Sequence, residues 1–215
     1  MKAFIYIFFL PILVVLVGCS SPQEPQADAF TVRDLYPTGI KWTYQHNDYD
    51  NLGNKTPKYK TERSVDTSAT YRGHDAYDLD LDYDHIEFYY EADTALYWFD
   101  RKTGSTDLGF RYPMNEGQEY IYSVSGLPTG HQNLKTLTLI TKSTSITVEA
   151  GTFNCLLYEK ISCSAEAGVR KDTSAIEDYY FVPKQGLVRM DRLSFANGSR
   201  FLSSDQILLS LEKMK

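Results

Sequence analysis

From Phe30 onward the chain alternates apolar and polar residues with a period of two, the spacing that sends successive side chains to opposite faces of a β-strand. The alternation is clearest over Asp78-Leu79-Asp80-Leu81-Asp82-Tyr83-Asp84, where acids share one face and apolar residues the other. Further strands are predicted at 86–90, 96–99, 120–124, 134–141, 145–148, 153–161, 177–182, 187–195 and about 200–211. Turn chemistry separates them: Arg72-Gly73-His74-Asp75, Lys102-Thr103-Gly104-Ser105, Glu149-Ala150-Gly151 and Ala196-Asn197-Gly198-Ser199. Asn-Gly between two apolar runs is a strong hairpin signal. Helix is nearly absent, and at residues 204–215 the alternation favours a last strand over a short capped helix.

Consecutive strands with short turns predict an all-β fold, an antiparallel meander curled into a half-barrel, a barrel or a sandwich. Two segments echo one another. Gly39-Ile40-Lys41-Trp42-Thr43-Tyr44 and Gly117-Gln118-Glu119-Tyr120-Ile121-Tyr122 share a Gly-x-x-aromatic-x-Tyr spacing, and each follows a Tyr-Pro pair. Shared steric needs of a turn entering a strand account for the echo more simply than an internal duplication does.

The first residues follow a different rule. Lys2 precedes an almost unbroken apolar run over residues 3–17, shorter than the ~20 residues that span a bilayer and interrupted by Pro11. A charged start and a short apolar run describe an export signal. Leu16-Val17-Gly18-Cys19 resembles the bacterial lipobox. The resemblance implies a signal peptide over 1–18, cleavage after Gly18, and diacylglyceryl attachment to the Cys19 thiol. Acyl chains gain about 0.8 kcal/mol per buried methylene, so two or three of them, palmitate among them, anchor a protein stably. Ser20, in place of the Asp that favours inner-membrane retention in such lipoproteins, implies transfer to the outer membrane. Either the periplasmic or the surface face is then open to the protein. Residues 19–29 are polar and proline-bearing, and read as the lipidated cysteine and a flexible tether. Residues 30–215 form a single antiparallel β domain.

Without residues 1–18 the chain carries 21 basic against 28 acidic side chains. That balance argues against nucleic acid or anionic lipid headgroups as partners. Tyrosine outnumbers phenylalanine and tryptophan together, as suits half-exposed sheet faces. Cys155 and Cys163 lie eight residues apart on one predicted strand, a separation of roughly 26 Å. A disulfide needs Cα atoms within about 7 Å, so two buried free thiols are expected.

A wider resemblance rests on turn and core residues. Tyr36-Pro37 leading into Gly39-x-x-Trp42-x-Tyr44 looks like the opening of many uncharacterised bacterial lipoproteins. So do Val148-Glu149-Ala150-Gly151-Thr152-Phe153-Asn154-Cys155 and the run from Tyr179 to Val188, Tyr-Tyr-Phe-Val-Pro-Lys-Gln-Gly-Leu-Val. Those proteins are similar in pattern to the twisted sheets of lipoprotein-carrier (Lol-type) half-barrels. The resemblance bears on fold and carries no catalytic residues.

Catalytic signatures are missing: there is no Gly-x-Ser-x-Gly, His-Glu-x-x-His, Cys-x-x-Cys or phosphate-cradling glycine loop. The Asp78, Asp80, Asp82, Asp84 ladder has Tyr83 and Tyr89 where an EF-hand needs Gly and Glu, so it reads as a solvated acidic face. His46, His74, His85 and His131 show no metal-ligand spacing. Neither a metal nor a cofactor is expected. The aromatics Phe88-Tyr89-Tyr90 and Tyr97-Trp98-Phe99 suit core and cross-strand packing better than a glycan platform. The expectation is a membrane-anchored envelope lipoprotein, a non-catalytic binding module for an apolar ligand or a protein partner. The competing expectations are an envelope glycan hydrolase using a carboxylate pair and a structural assembly subunit.

Overall fold

A computed structural model describes residues 30–81, 84–126, 131–166, 169–196 and 199–214. Cys19, the signal segment, the tether and Asp82 lie outside the described residues. Twelve strands follow one another: β1 (Ile40–Tyr49), β2 (Lys55–Tyr71), β3 (His74–Leu81), β4 (Asp84–Glu91), β5 (Ala95–Phe99), β6 (Thr106–Arg111), β7 (Glu119–Gly126), β8 (His131–Val148), β9 (Gly151–Glu166), β10 (Val169–Val182), β11 (Gly186–Ala196) and β12 (Ser199–Lys213). All pair antiparallel in one sheet of order β6-β5-β4-β3-β2-β1-β12-β11-β10-β9-β8-β7. The predicted all-β meander is therefore a nearly closed barrel-like sheet.

The order contains one departure from sequence. Each strand neighbours the next except β6 and β7, which are the two edges. The first and last strands, β1 and β12, pair instead over nine residue pairs from Ile40↔Lys213 to Asp48↔Ser204. The molecule is thus two six-strand meanders joined through β1 and β12, with a seam between β6 and β7. The echoing segments open the two halves as β1 and β7. Each enters its strand through a left-handed glycine, Gly39 at φ 75° and Gly117 at φ 74°.

Two strands escaped the pattern reading. β2 is seventeen residues long but mostly exposed and polar, so it carries no clean apolar face, and β6 is short. The predicted strands at 134–141 and 145–148 are one strand, β8, whose pairing with β9 shifts twice between Leu139 and Thr144. The acidic ladder requires a correction. It is not one strand: β3 ends at Leu81, β4 begins at Asp84, and these two residues pair, as do Asp80 and His85. Because Leu81 pairs with Asp84, odd positions of β3 oppose even positions of β4, and the inward residues are odd in β3 (Leu79) and even in β4 (Phe88, Tyr90).

A short 3-10 turn, Val32–Leu35, precedes β1. Thr31 caps it, accepting from Arg33 N–H, while Asp34 accepts from Thr31 N–H at 2.8 Å. The turn inserts Val32 and Leu35, both fully buried, into the core. Around them the interior is packed ring on ring. Tyr36 meets Phe181 at 5.3 Å and Trp98 at 5.6 Å, and Phe110 meets Phe181 at 4.8 Å. Trp42, Tyr44, Phe88 and Tyr158 complete this aromatic plug, each at 2% exposure or less. Cys155 and Cys163 are free, buried thiols on the same strand, and burial pushes the Cys155 thiol up to about 11.

Candidate functional site

The inward face changes character along the strands that carry the plug. Directly opposed residues of an antiparallel pair share a face, so the pairing register traces the interior. On β8 the inward positions run Leu139, Leu137, Lys135; on β9, Tyr158, Lys160, Ser162; on β10, Phe181, Tyr179, Glu177, Ala175. Two rows of neighbours result, Tyr120–Leu137–Lys160–Glu177–Arg192 and Tyr122–Lys135–Ser162–Ala175. Each strand passes from apolar to charged within two or three inward positions.

The charged part of the concave face is open to water. Asp107 keeps 42% of its side-chain exposure, Lys135 35%, Glu177 28% and Arg192 55%, against 2% or less for Trp42, Tyr44, Phe88 and Tyr158 in the plug. The interior is thus a filled half and an open mouth. The mouth lies along the seam. Lys135 on β8 reaches Asp107 on β6 at 2.5 Å, Arg111 on β6 lies 4.3 Å over the Tyr120 ring on β7, and the Tyr158 hydroxyl donates to the Arg111 carbonyl at 3.0 Å. Side chains, with no backbone ladder, hold the two edges together.

Charges in the mouth are mostly matched. Asp107 takes Lys135. Glu177 accepts from the Tyr179 hydroxyl at 2.9 Å and faces Arg192 at 3.8 Å. Lys160 is different. Its Nζ stands 4.2 Å over the Phe110 ring and 5.1 Å over Tyr179, with no hydrogen bond or ion pair among the described residues. Burial pulls its amine down to about 8, with Glu177 opposing that shift and Lys135 adding to it. Burial also raises the Tyr122 hydroxyl, and the nearby Asp107 and Glu177 carboxylates add to the effect.

Residues singled out in the sequence lie elsewhere. His46 faces inward from β1, 2.9 Å from the Thr61 hydroxyl and stacked at 4.5 Å on Tyr59. His74 stacks on Tyr89 at 4.7 Å. His85 and His131 sit on β4 and β8, opposite Asp80 and Glu166. Among the described residues no three His, Cys, Asp or Glu side chains gather as metal ligands would. The aromatic cluster is divided between faces: Phe88, Tyr90 and Trp98 belong to the core side, while Tyr89, Tyr97 and Phe99 form a ladder on the other. In that ladder the rings cover one another, Tyr71 on Phe99 at 3.9 Å and Tyr89 on Tyr97 at 5.3 Å, and Arg101 lies 5.2 Å over Phe99. Rings stacked on each other have little face left for a sugar, so the ladder serves the sheet.

Two clefts lie outside the mouth. One of about 270 Å³ is bounded by Arg33, Tyr77 and Tyr90. Its Arg33 is already held by Asp93, by the Tyr77 hydroxyl at 3.2 Å and by the Tyr90 ring at 4.7 Å. The other, about 520 Å³, is a shallow surface between Ala150, Phe153 and Leu211.

Lys160, Glu177, Lys135, Asp107 and Arg192 were not visible as a group in the sequence. One signal was present: Lys160 interrupts the run Leu156-Leu157-Tyr158-Glu159-Lys160-Ile161 on the same parity as Tyr158. Which parity faces inward was not decided locally.

No family model matches the chain, and no curated protein matches it. Two solved structures are similar. One is a protein of Bacteroides fragilis designated as exported and as having a YmcC-like fold, at 14% identity and a TM-score of 0.47, covering 86% of this chain and 99% of that one. The other is a protein of Parabacteroides distasonis designated as a lipoprotein, at 18% identity and a TM-score of 0.46, covering 86% of this chain and all of the other.

Proposed function

We propose that this protein is an envelope lipoprotein, anchored through acylated Cys19 to the outer membrane, whose barrel is a non-catalytic binding module. The observation that carries the binding role is the open mouth: inward-facing Tyr122, Lys135, Lys160, Glu177 and Arg192 remain accessible beside a seam that no backbone ladder closes. A domain built only to pack would fill this half with side chains, as it does the other. The mouth combines aromatic walls with charges, so its occupant is an apolar ligand bearing a polar end. A concave sheet with an open seam is also what the Lol-type resemblance leads one to look for.

Mass spectrometry of the full chain, extracted in detergent and with bound small molecules recovered, tests both parts. An acylated Cys19 with a co-purifying amphiphile is the expected result. An acylated Cys19 with nothing bound would move the binding role to a protein partner, and an unmodified N-terminus would overturn the anchor.

A further inference from the structure

Resting on that reading of the mouth, we infer that Lys160 is the headgroup site, where the anionic end of an acyl-chain ligand binds while its hydrocarbon lies against the partly buried rings of Tyr179 and Tyr120. The argument is one of matching. An ammonium taken partly out of water needs a counter-charge, and burying one without a partner is costly. The two carboxylates near it are committed elsewhere, Asp107 to Lys135, and Glu177 to Arg192 and the Tyr179 hydroxyl. The five charged groups Lys135, Lys160, Arg192, Asp107 and Glu177 therefore sum to one positive charge. The aromatic faces of Phe110 and Tyr179 stabilise that charge and shield it from water, but they supply no counter-ion. A single anion completes the set.

The chemistry of the walls selects the rest of the ligand. Tyr179 on β10 and Tyr120 on β7, in the same row as Lys160, face the concave side and are only partly buried. An inorganic anion would leave these apolar surfaces unused, whereas an alkyl carboxylate or alkyl phosphate uses both. The downward pull on the Lys160 amine is consistent with a cation awaiting such a partner.

The test uses the full lipidated chain in nanodiscs of zwitterionic lipid, with empty nanodiscs as the reference. Binding of carboxyl-labelled decanoate is read by NMR, with decyl phosphate and decanol as competitors. Wild type and Lys160→Arg should bind decanoate, and Lys160→Met should bind it at least about tenfold more weakly, as expected for loss of a charge-assisted hydrogen bond. Decanol should bind wild type and Lys160→Met alike, which also shows that the variant retains its fold. Stronger binding of decyl phosphate than of decanoate, lost in the same variant, would support the site and identify phosphate as its preferred anion. Decanoate binding that Lys160→Met leaves unchanged would overturn the headgroup assignment but keep the mouth as an apolar site. Failure of all three probes to bind wild type would overturn both.

Discussion

The indole of Trp42 occupies the space that a side chain on residue 186 would need: a Cβ built on Gly186 would meet the Trp42 ring at 2.7–2.8 Å. Gly186 also has φ 97°, a conformation that other residues rarely adopt. The Trp42 Nε1–H donates to the Gln185 carbonyl at 2.6 Å, so the ring is fixed against the turn between β10 and β11. One aromatic ring thereby ties β1, at the start of the first half, to the last strands of the second.

Gly186→Ala is expected to destabilise the protein by at least about 1–3 kcal/mol from overpacking, with backbone strain in addition. Denaturant unfolding measures it. Trp42→Leu in the same chain should recover part of the loss, because the two residues share one space. Additive losses would mean that strain alone carries the effect.

Asp205 is 2% exposed, accepts from Asn47 Nδ2 at 2.6 Å and from the Tyr49 hydroxyl at 2.7 Å, and has Arg189 at 3.9 Å. It joins β1 to β11 and β12, across the pairing that unites the two halves. Asp205→Ala leaves the Asn47 and Tyr49 donors unmatched, while Arg189 keeps Asp191 at 2.6 Å, and the expected cost is about 1–3 kcal/mol by thermal or denaturant melting. A loss below about 1 kcal/mol would show that water replaces the carboxylate.

Burial, with the Arg63 charge adding to it, pulls the His46 imidazole down to about 4. An unfolded histidine titrates near about 6.5. Between those values the unfolded chain binds a proton that the folded protein does not, so stability falls as pH drops from about 6.5 towards 4. His46→Gln removes this contribution, and its melting temperature should fall less steeply over that window. Parallel curves for the two proteins would rule His46 out as a source of acid sensitivity.

Asp178 on β10 behaves in the opposite sense. Burial pushes its carboxyl up to about 6, Glu159 adding to the shift and Arg200 opposing it. Between about 3.9 and 6 the folded protein holds a proton that the unfolded chain releases, so stability falls as pH rises through that range. Asp178→Asn should therefore be the more stable protein at pH 7, with the advantage gone by pH 4. Equal stability at pH 7 would mean that Arg200 at 3.5 Å fully offsets the burial.

Much of the architecture was legible along the chain because it depends on neighbours in sequence. Period-two alternation marked most strands, glycine marked turns such as those at 73 and 151, and the eight-position separation of Cys155 and Cys163 on one strand left their thiols free. The same local logic failed at β2, whose exposed residues show no apolar face, and in the acidic ladder, where Leu81 and Asp84 pair across two strands although the sequence between them continues the alternation. What the tertiary structure alone decided was which parity faces inward, that β1 pairs β12 while β6 and β7 remain edges, and that Lys160 stands over Phe110. The contacts among them join residues from 50 positions apart, Phe110 and Lys160, to 173 apart, Ile40 and Lys213, and the free energy that selects them comes from burying the aromatic plug as a whole. No window of the sequence contains that term, so a lysine in an apolar strand becomes a candidate binding group only once the sheet has curled around it.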